Sequence, residues 1–152
     1  MLSVPSFLKY AFFVCAFRVF MYTFNKEFVA KIKVTPQSWA DPQVREVMEA
    51  YVAVVRTDML FRGVYYFWAA FFLSEETVTG NIQAQFASIS LFFELYTLIY
   101  VIKMFLSPSN FNSSSLNKNK VMIHQQGGVA PFCIQLSVVL VGCISLYGHF
   151  YQ

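Results

Sequence analysis

Charge is the scarcest ingredient of this chain. Asp, Glu, Lys and Arg make up 12% of its 152 residues, while 57% are hydrophobic. A soluble domain carries about a quarter charged residues, so there is too little charge here to coat a water-facing surface. Histidine is nearly missing: His124 and His149 are the only two. They fall near different ends of the long apolar segments, which excludes a shared metal or a bracketed haem. Cysteine is limited to Cys15, Cys133 and Cys143, all within apolar runs and without C-x-x-C spacing. That excludes a disulfide framework and leaves small buried apolar side chains as the expectation. Gly127-Gly128 is not part of any G-x-x-x-x-G-K or G-x-G-x-x-G pattern, so no phosphate-cradling loop is present. Ser113-Ser114-Ser115 has no base close in sequence and reads as loop rather than nucleophile. No catalytic residue, metal site or cofactor is expected, and no small-molecule substrate. The net charge of +3 comes without a basic arm, which argues against nucleic acid.

What the chain has in excess is phenylalanine, 18 copies, and long greasy stretches. A bilayer core of ~30 Å needs about 20 helical residues. Segments 7–24, 54–73, 83–106 and 129–151 meet that length. Backbone polar groups cannot stay unpaired in lipid, so the expectation is an all-α polytopic membrane protein, a single domain with about four transmembrane helices.

The stretch before the second span carries its own signal. Asp41-Pro42 is a helix start, a capping side chain followed by proline at the first helical position. Val44, Val47, Met48, Tyr51, Val52 and Val55 then recur at i, i+3, i+4 spacing, one apolar stripe. A helix from Pro42 to Leu73 would run about 48 Å at 1.5 Å per residue, so the second helix is expected to extend beyond the bilayer and lie against another surface. Gly63 is a candidate bend, and Trp39 suits the membrane–water interface. The connection 74–82 is short and acidic and forces an antiparallel pair. The connection 107–128, rich in Asn and Ser, is expected to be a polar loop.

Arg18, Arg56, Asp58, Arg62, Glu94 and Lys103 lie within or at the ends of the spans. Each costs ~2.5–3.5 kcal/mol at the centre of an inserted helix and less near its edge. Asp58 and Arg62 are one turn apart and can pair on one helix. Glu94, near the middle of the third span, is read first as a buried partner for Arg62 or Arg18, within a charge network of Arg18, Arg56, Asp58, Arg62 and Glu94. The other reading is a proton or ion relay. Arg18, Arg56, Arg62 and Lys103 share one half of the bilayer and are candidates for contacts with anionic lipid headgroups, cardiolipin among them. Small residues that allow close helix approach stand at Ala84 and Ser88 and at Gly142, Ser145 and Gly148.

Lys26, Lys31, Lys33, Arg45, Lys118 and Lys120 gather in two connections on one face. The positive-inside rule places that face in the cytoplasm or matrix, with both termini on the outer side, in the intermembrane space or lumen.

Arg56-Thr57, Glu94-Leu95 and Ala130-Pro131 stand at the start of the second span, within the third and at the start of the fourth. In these the layout resembles the small four-span scaffold family of ergosterol biosynthesis. That resemblance implies a non-catalytic helical protein of the endoplasmic reticulum that tethers sterol-metabolising enzymes. Three functions are therefore weighed. The first is an accessory subunit of a membrane complex, foremost a respiratory-chain or ATP synthase complex of the mitochondrial inner membrane, with other membrane subunits and lipids as partners. The second is the sterol-enzyme scaffold. The third is a transporter component built on Glu94.

Overall fold

A computed structural model describes residues 3–73, 81–106, 110–112, 122–124 and 129–151. Most of the acidic connection, together with Lys118, Lys120, Ser113-Ser114-Ser115 and Gly127-Gly128, lies outside the described residues. The chain forms α1 (Val4–Phe24), α2 (Lys26–Lys31), α3 (Pro36–Trp39), α4 (Pro42–Phe71), α5 (Asn81–Leu106), β1 (Asn110–Asn112), β2 (Met122–His124) and α6 (Val129–Phe150). α1, α5 and α6 are long and apolar enough to cross a membrane, as an integral membrane protein requires. α4 is 30 residues long but carries Arg56, Asp58 and Arg62 in its apolar half.

Local chemistry fixes the helix ends. Ser3 caps α1 by accepting from the Ser6 N–H at 3.3 Å. Asp41 caps α4 by accepting from the Gln43 N–H at 2.8 Å, with Pro42 at the first position. α4 runs unbroken through Gly63, which serves close approach rather than a break in the helix. A Cβ there would lie 3.5 Å from Cys15 Cβ of α1, ordinary contact.

α4 packs chiefly on α1, while α5 packs chiefly on α6, and α1 also contacts α6. The antiparallel run of α4 and α5 is as expected from the short connection. Gln83 reaches the Ala69 and Leu73 carbonyls, and Glu94 reaches Tyr66. Their backbones nevertheless are not close neighbours; long side chains span the gap. A close approach occurs at Gly142 of α6, where a Cβ would come within 2.8 Å of Leu91 Cδ1 and 2.9 Å of Phe7 Cε2. Ser145, one turn on, is fully buried, so this part of the small-residue stripe faces protein.

Two cores result. One gathers Phe7, Leu8, Ala11, Cys15, Met59, Tyr66, Ala69, Ala84, Ala87, Val138 and Leu146 between the long helices. The other lies beyond the end of α1. There Val29, Ala30 and Val34 pack on Val44, Val47, Met48 and Val52. The surface that receives the α4 stripe is thus α2 and the turn after it. Lys26 Nζ pairs with Glu49 at 2.8 Å across this contact. Arg45 of α4 donates to the carbonyls of Trp39 and Ala40, closing α3. Trp39, expected at the membrane–water interface, packs against this second core.

Two expectations need correction. The connection 107–128 holds a short hairpin, with Phe111 paired to Ile123 in an antiparallel ladder, and β2 lies beside α3. Three-residue strands leave no periodicity to read. Of the cysteines only Cys15 is buried; Cys133 and Cys143 are exposed on α6. An apolar run specifies an environment free of water, which lipid supplies as well as protein does.

Candidate functional site

The outer surface of the bundle is apolar and aromatic. Phe13, Phe17 and Phe20 on α1, Phe61, Val64 and Trp68 on α4, Phe92, Phe93 and Tyr96 on α5, and Leu140, Ile144 and Tyr147 on α6 are all exposed. Buried polar side chains, Gln83, Ser90, Glu94, Gln135 and Ser145 among them, lie between the long helices.

The interior polar cluster centres on Glu94, whose residue is only 3% exposed. Tyr66 donates its hydroxyl to Glu94 Oε1 at 2.6 Å. Gln135 Nε2 donates to Glu94 Oε2 at 2.6 Å and to the Glu94 carbonyl at 3.0 Å. Arg62 Nη1 lies 3.6 Å from Glu94 Oε1 and also reaches Thr97 Oγ1 at 3.4 Å. Arg62 Nε pairs with Asp58 Oδ2 at 3.0 Å on the same helix. On the other side, Arg18 Nη2 donates to Gln135 Oε1 at 3.0 Å, and Nη1 lies 3.9 Å from Met59 Sδ. All four long helices contribute: Arg18 from α1, Asp58, Arg62 and Tyr66 from α4, Glu94 from α5 and Gln135 from α6. Two cationic and two acidic side chains formally offset one another, and hydrogen bonds spread the charge, which lowers the cost of burial.

Of the residues singled out from sequence, Asp58, Arg62 and Glu94 come together directly, and Arg18 joins through Gln135. Arg56 is half-buried elsewhere on α4 and has no hydrogen bond or ion pair among the described residues. Lys103 is exposed near the end of α5. Gln135 and Tyr66 were missed. Gln135 is completely buried and ties together the two halves of the cluster. The available signal was an uncharged amide inside the most apolar helix, which costs free energy in lipid unless bonded.

Two cavities flank the cluster. One, about 380 Å³, is a cleft between α4 and α5 lined by Asp58, Arg62, Tyr65, Tyr66, Ser90 and Phe93 among others. The second, about 360 Å³, lies where α1, α2, α4, α5 and α6 converge, with Arg18, Lys33 and Gln135 in an otherwise mostly apolar wall. No group of His, Cys, Asp and Glu side chains among the described residues is arranged to hold a metal ion. The polar atoms of the cluster bond one another. Comparison of the chain with family models, with curated proteins and with solved structures finds no match.

Proposed function

We propose that this chain is a non-catalytic membrane subunit that acts by assembling with other membrane proteins, and that α4 crosses the bilayer as a fourth span. The observation that carries this reading is the closure of the Glu94 cluster: both carboxylate oxygens receive donors from other helices. A group so occupied holds helices in register. A relay site would instead leave it a free face toward a proton path. The length of α4 fits crossing with an overhang, since 30 helical residues span about 45 Å at 1.5 Å per residue. The overhang is the part covered by α2 and α3, on the basic face. Both termini then lie on the outer side.

The assembly proposed first is an energy-transducing complex of the mitochondrial inner membrane, of the respiratory chain or ATP synthase. A second reading, the sterol-enzyme scaffold of the endoplasmic reticulum, is favoured by one observation. Two of the three sequence features that carry the resemblance lie on helices that bond one another, since Gln135 of α6, the helix that carries Ala130-Pro131, donates to Glu94 of α5. Proximity labelling from the chain in its native membrane separates the two, by respiratory or ATP synthase neighbours against sterol-metabolising enzymes. Migration on a blue-native gel only as a small monomer removes both.

A further inference from the structure

We propose that the cavity beside Arg18 is a binding site for one anionic amphiphile, its alkyl chain among the aromatic and aliphatic side chains and its acidic headgroup between Arg18 and Lys33. The site rests on the reading that the chain sits in a membrane.

The cavity is about 360 Å³, within the ~300–1,000 Å³ range of ligand pockets. Five helices wall it, so it is a recess and not a stretch of outer surface. Its lining includes Phe17, Met21, Val55, Tyr100 and Ile134, a surface suited to hydrocarbon. Among the described residues, Arg18 and Lys33 are the only charged groups lining it, and no carboxylate does. Two cations bordering an apolar recess with no carboxylate in its wall raise the cost of burial there, and a bound anion lowers it. Arg18 meets only neutral atoms, the Gln135 amide oxygen and Met59 Sδ. A guanidinium offers five N–H donors, so unused donors remain. Lys33 is held in place by aromatic faces, its Nζ 5.7 Å from the Tyr22 ring centroid and 5.5 Å from that of Tyr51. Such stacking positions an ammonium without neutralising it. Lys33 follows α2, on the face where basic residues gather, so the headgroup end of the recess is at the level where a lipid headgroup resides. A carboxylate from a fatty acid and a phosphate from a lysophospholipid satisfy the same two cations.

The test is native mass spectrometry of the full chain released from nanodiscs, with oleate, oleoyl lysophosphatidate and the zwitterionic oleoyl lysophosphatidylcholine added in turn. One-to-one binding of either anion, at least tenfold tighter than the zwitterion, is expected, and the stronger of the two identifies the headgroup. Lys33→Gln should weaken the anion about tenfold and leave the zwitterion unchanged. Ile134→Trp, which fills the recess, should abolish binding of both. Arg18→Gln should act like Lys33→Gln, and because Lys33 bonds nothing in the Glu94 cluster, the Lys33 variant decides the matter if the Arg18 variant does not fold. Equal affinity for anion and zwitterion, or unchanged anion binding in Lys33→Gln and Ile134→Trp, overturns the site. Release of the chain from membranes by alkaline carbonate would instead overturn the membrane reading beneath it.

Discussion

Truncating Glu94 should loosen the whole bundle, and the hydrogen-bond geometry sets the size of the effect. Glu94→Ala removes the acceptor for Tyr66, for Gln135 Nε2 and for Arg62. Interhelical polar contacts in membranes average ~0.6 kcal/mol and reach ~1.7, so three of them amount to roughly 2–5 kcal/mol. Glu94→Gln is the sharper probe. Its amide oxygen still accepts from Tyr66, but its NH₂ then faces the NH₂ of Gln135. Gln135 must turn over to present its oxygen, and that oxygen is the one Arg18 uses at 3.0 Å. A shape-preserving substitution that removes the charge thus also loses the Arg18–Gln135 contact, for a cost of about one to two such bonds, ~1–3 kcal/mol. Tyr66→Phe removes one bond, ~0.6–1.7 kcal/mol. Thermal unfolding in mild detergent, followed by intrinsic fluorescence, should rank the variants wild type, Tyr66→Phe, Glu94→Gln, Glu94→Ala in falling stability. The alanine variant should melt on the order of 10 °C lower. A double variant, Glu94→Gln with Gln135→Glu, restores an acid–amide pair and should recover part of the loss. Wild-type stability in Glu94→Ala would refute the structural account. So would a proton flux in liposomes that Glu94→Gln abolishes without changing the melting temperature.

Two glycines should respond oppositely. Gly142→Ala drives a Cβ into Leu91 and Phe7 and should cost ~1–3 kcal/mol, while Gly63→Ala meets Cys15 at ordinary contact distance and should be neutral or stabilising by ~0.5–1 kcal/mol, both read by the same melts. Met48→Ala, in the second core, should cost ~2–5 kcal/mol locally and expose the Lys31–Lys33 segment to limited trypsin digestion while the long helices stay protected. Lys26→Ala breaks only an exposed ion pair and should change stability by less than ~1 kcal/mol; a larger loss would mean that the α2–α4 contact depends on charge. Epitope tags at residues 1 and 152 should be cleaved by protease from the same side of sealed vesicles, and cleavage from opposite sides would remove α4 as a span.

What could be read from sequence follows the strength of the physical signal. The apolar helices were legible because length and hydropathy leave no alternative in lipid. The first residue of α4 was legible because Asp41 and Pro42 together are a cap, and its early turns because six apolar residues keep helical spacing. α2, α3 and the hairpin were not, since elements of three to six residues are too short to show a period. In the cluster, Asp58, Arg62 and Glu94 stood out because ionised groups are expensive in hydrocarbon. Gln135 and Tyr66 did not, because neither carries a charge and tyrosine is common throughout the chain. The neighbour relations of the helices were invisible for a different reason. Every long helix has an apolar face wherever it turns, so hydropathy cannot tell which face meets protein and which meets lipid.

That ambiguity gives the polar cluster its specific role. Lipid tails satisfy an apolar helix face as well as another helix does, so burial alone cannot hold α4 beside α5, whose backbones stand apart. Aromatic rings cross the gap, Phe86 against Tyr65 and Trp68, and polar side chains cross it at two levels. Arg62 and Tyr66 reach Glu94 in the middle, and Gln83 reaches the Ala69 and Leu73 carbonyls near the α4–α5 connection. Left unpaired in hydrocarbon, each of these groups would be costly; paired, they fix the register of α4 against α5 and, through Gln135 and Arg18, of both against α6 and α1. α4 is thus the helix with the most charge among the described elements and, on the proposal that it is a fourth span, the one most dependent on the bundle for its place in the membrane. Removing the cluster should therefore free α4 first, with α1, α5 and α6, each long and apolar enough to cross a membrane, retained in the bilayer.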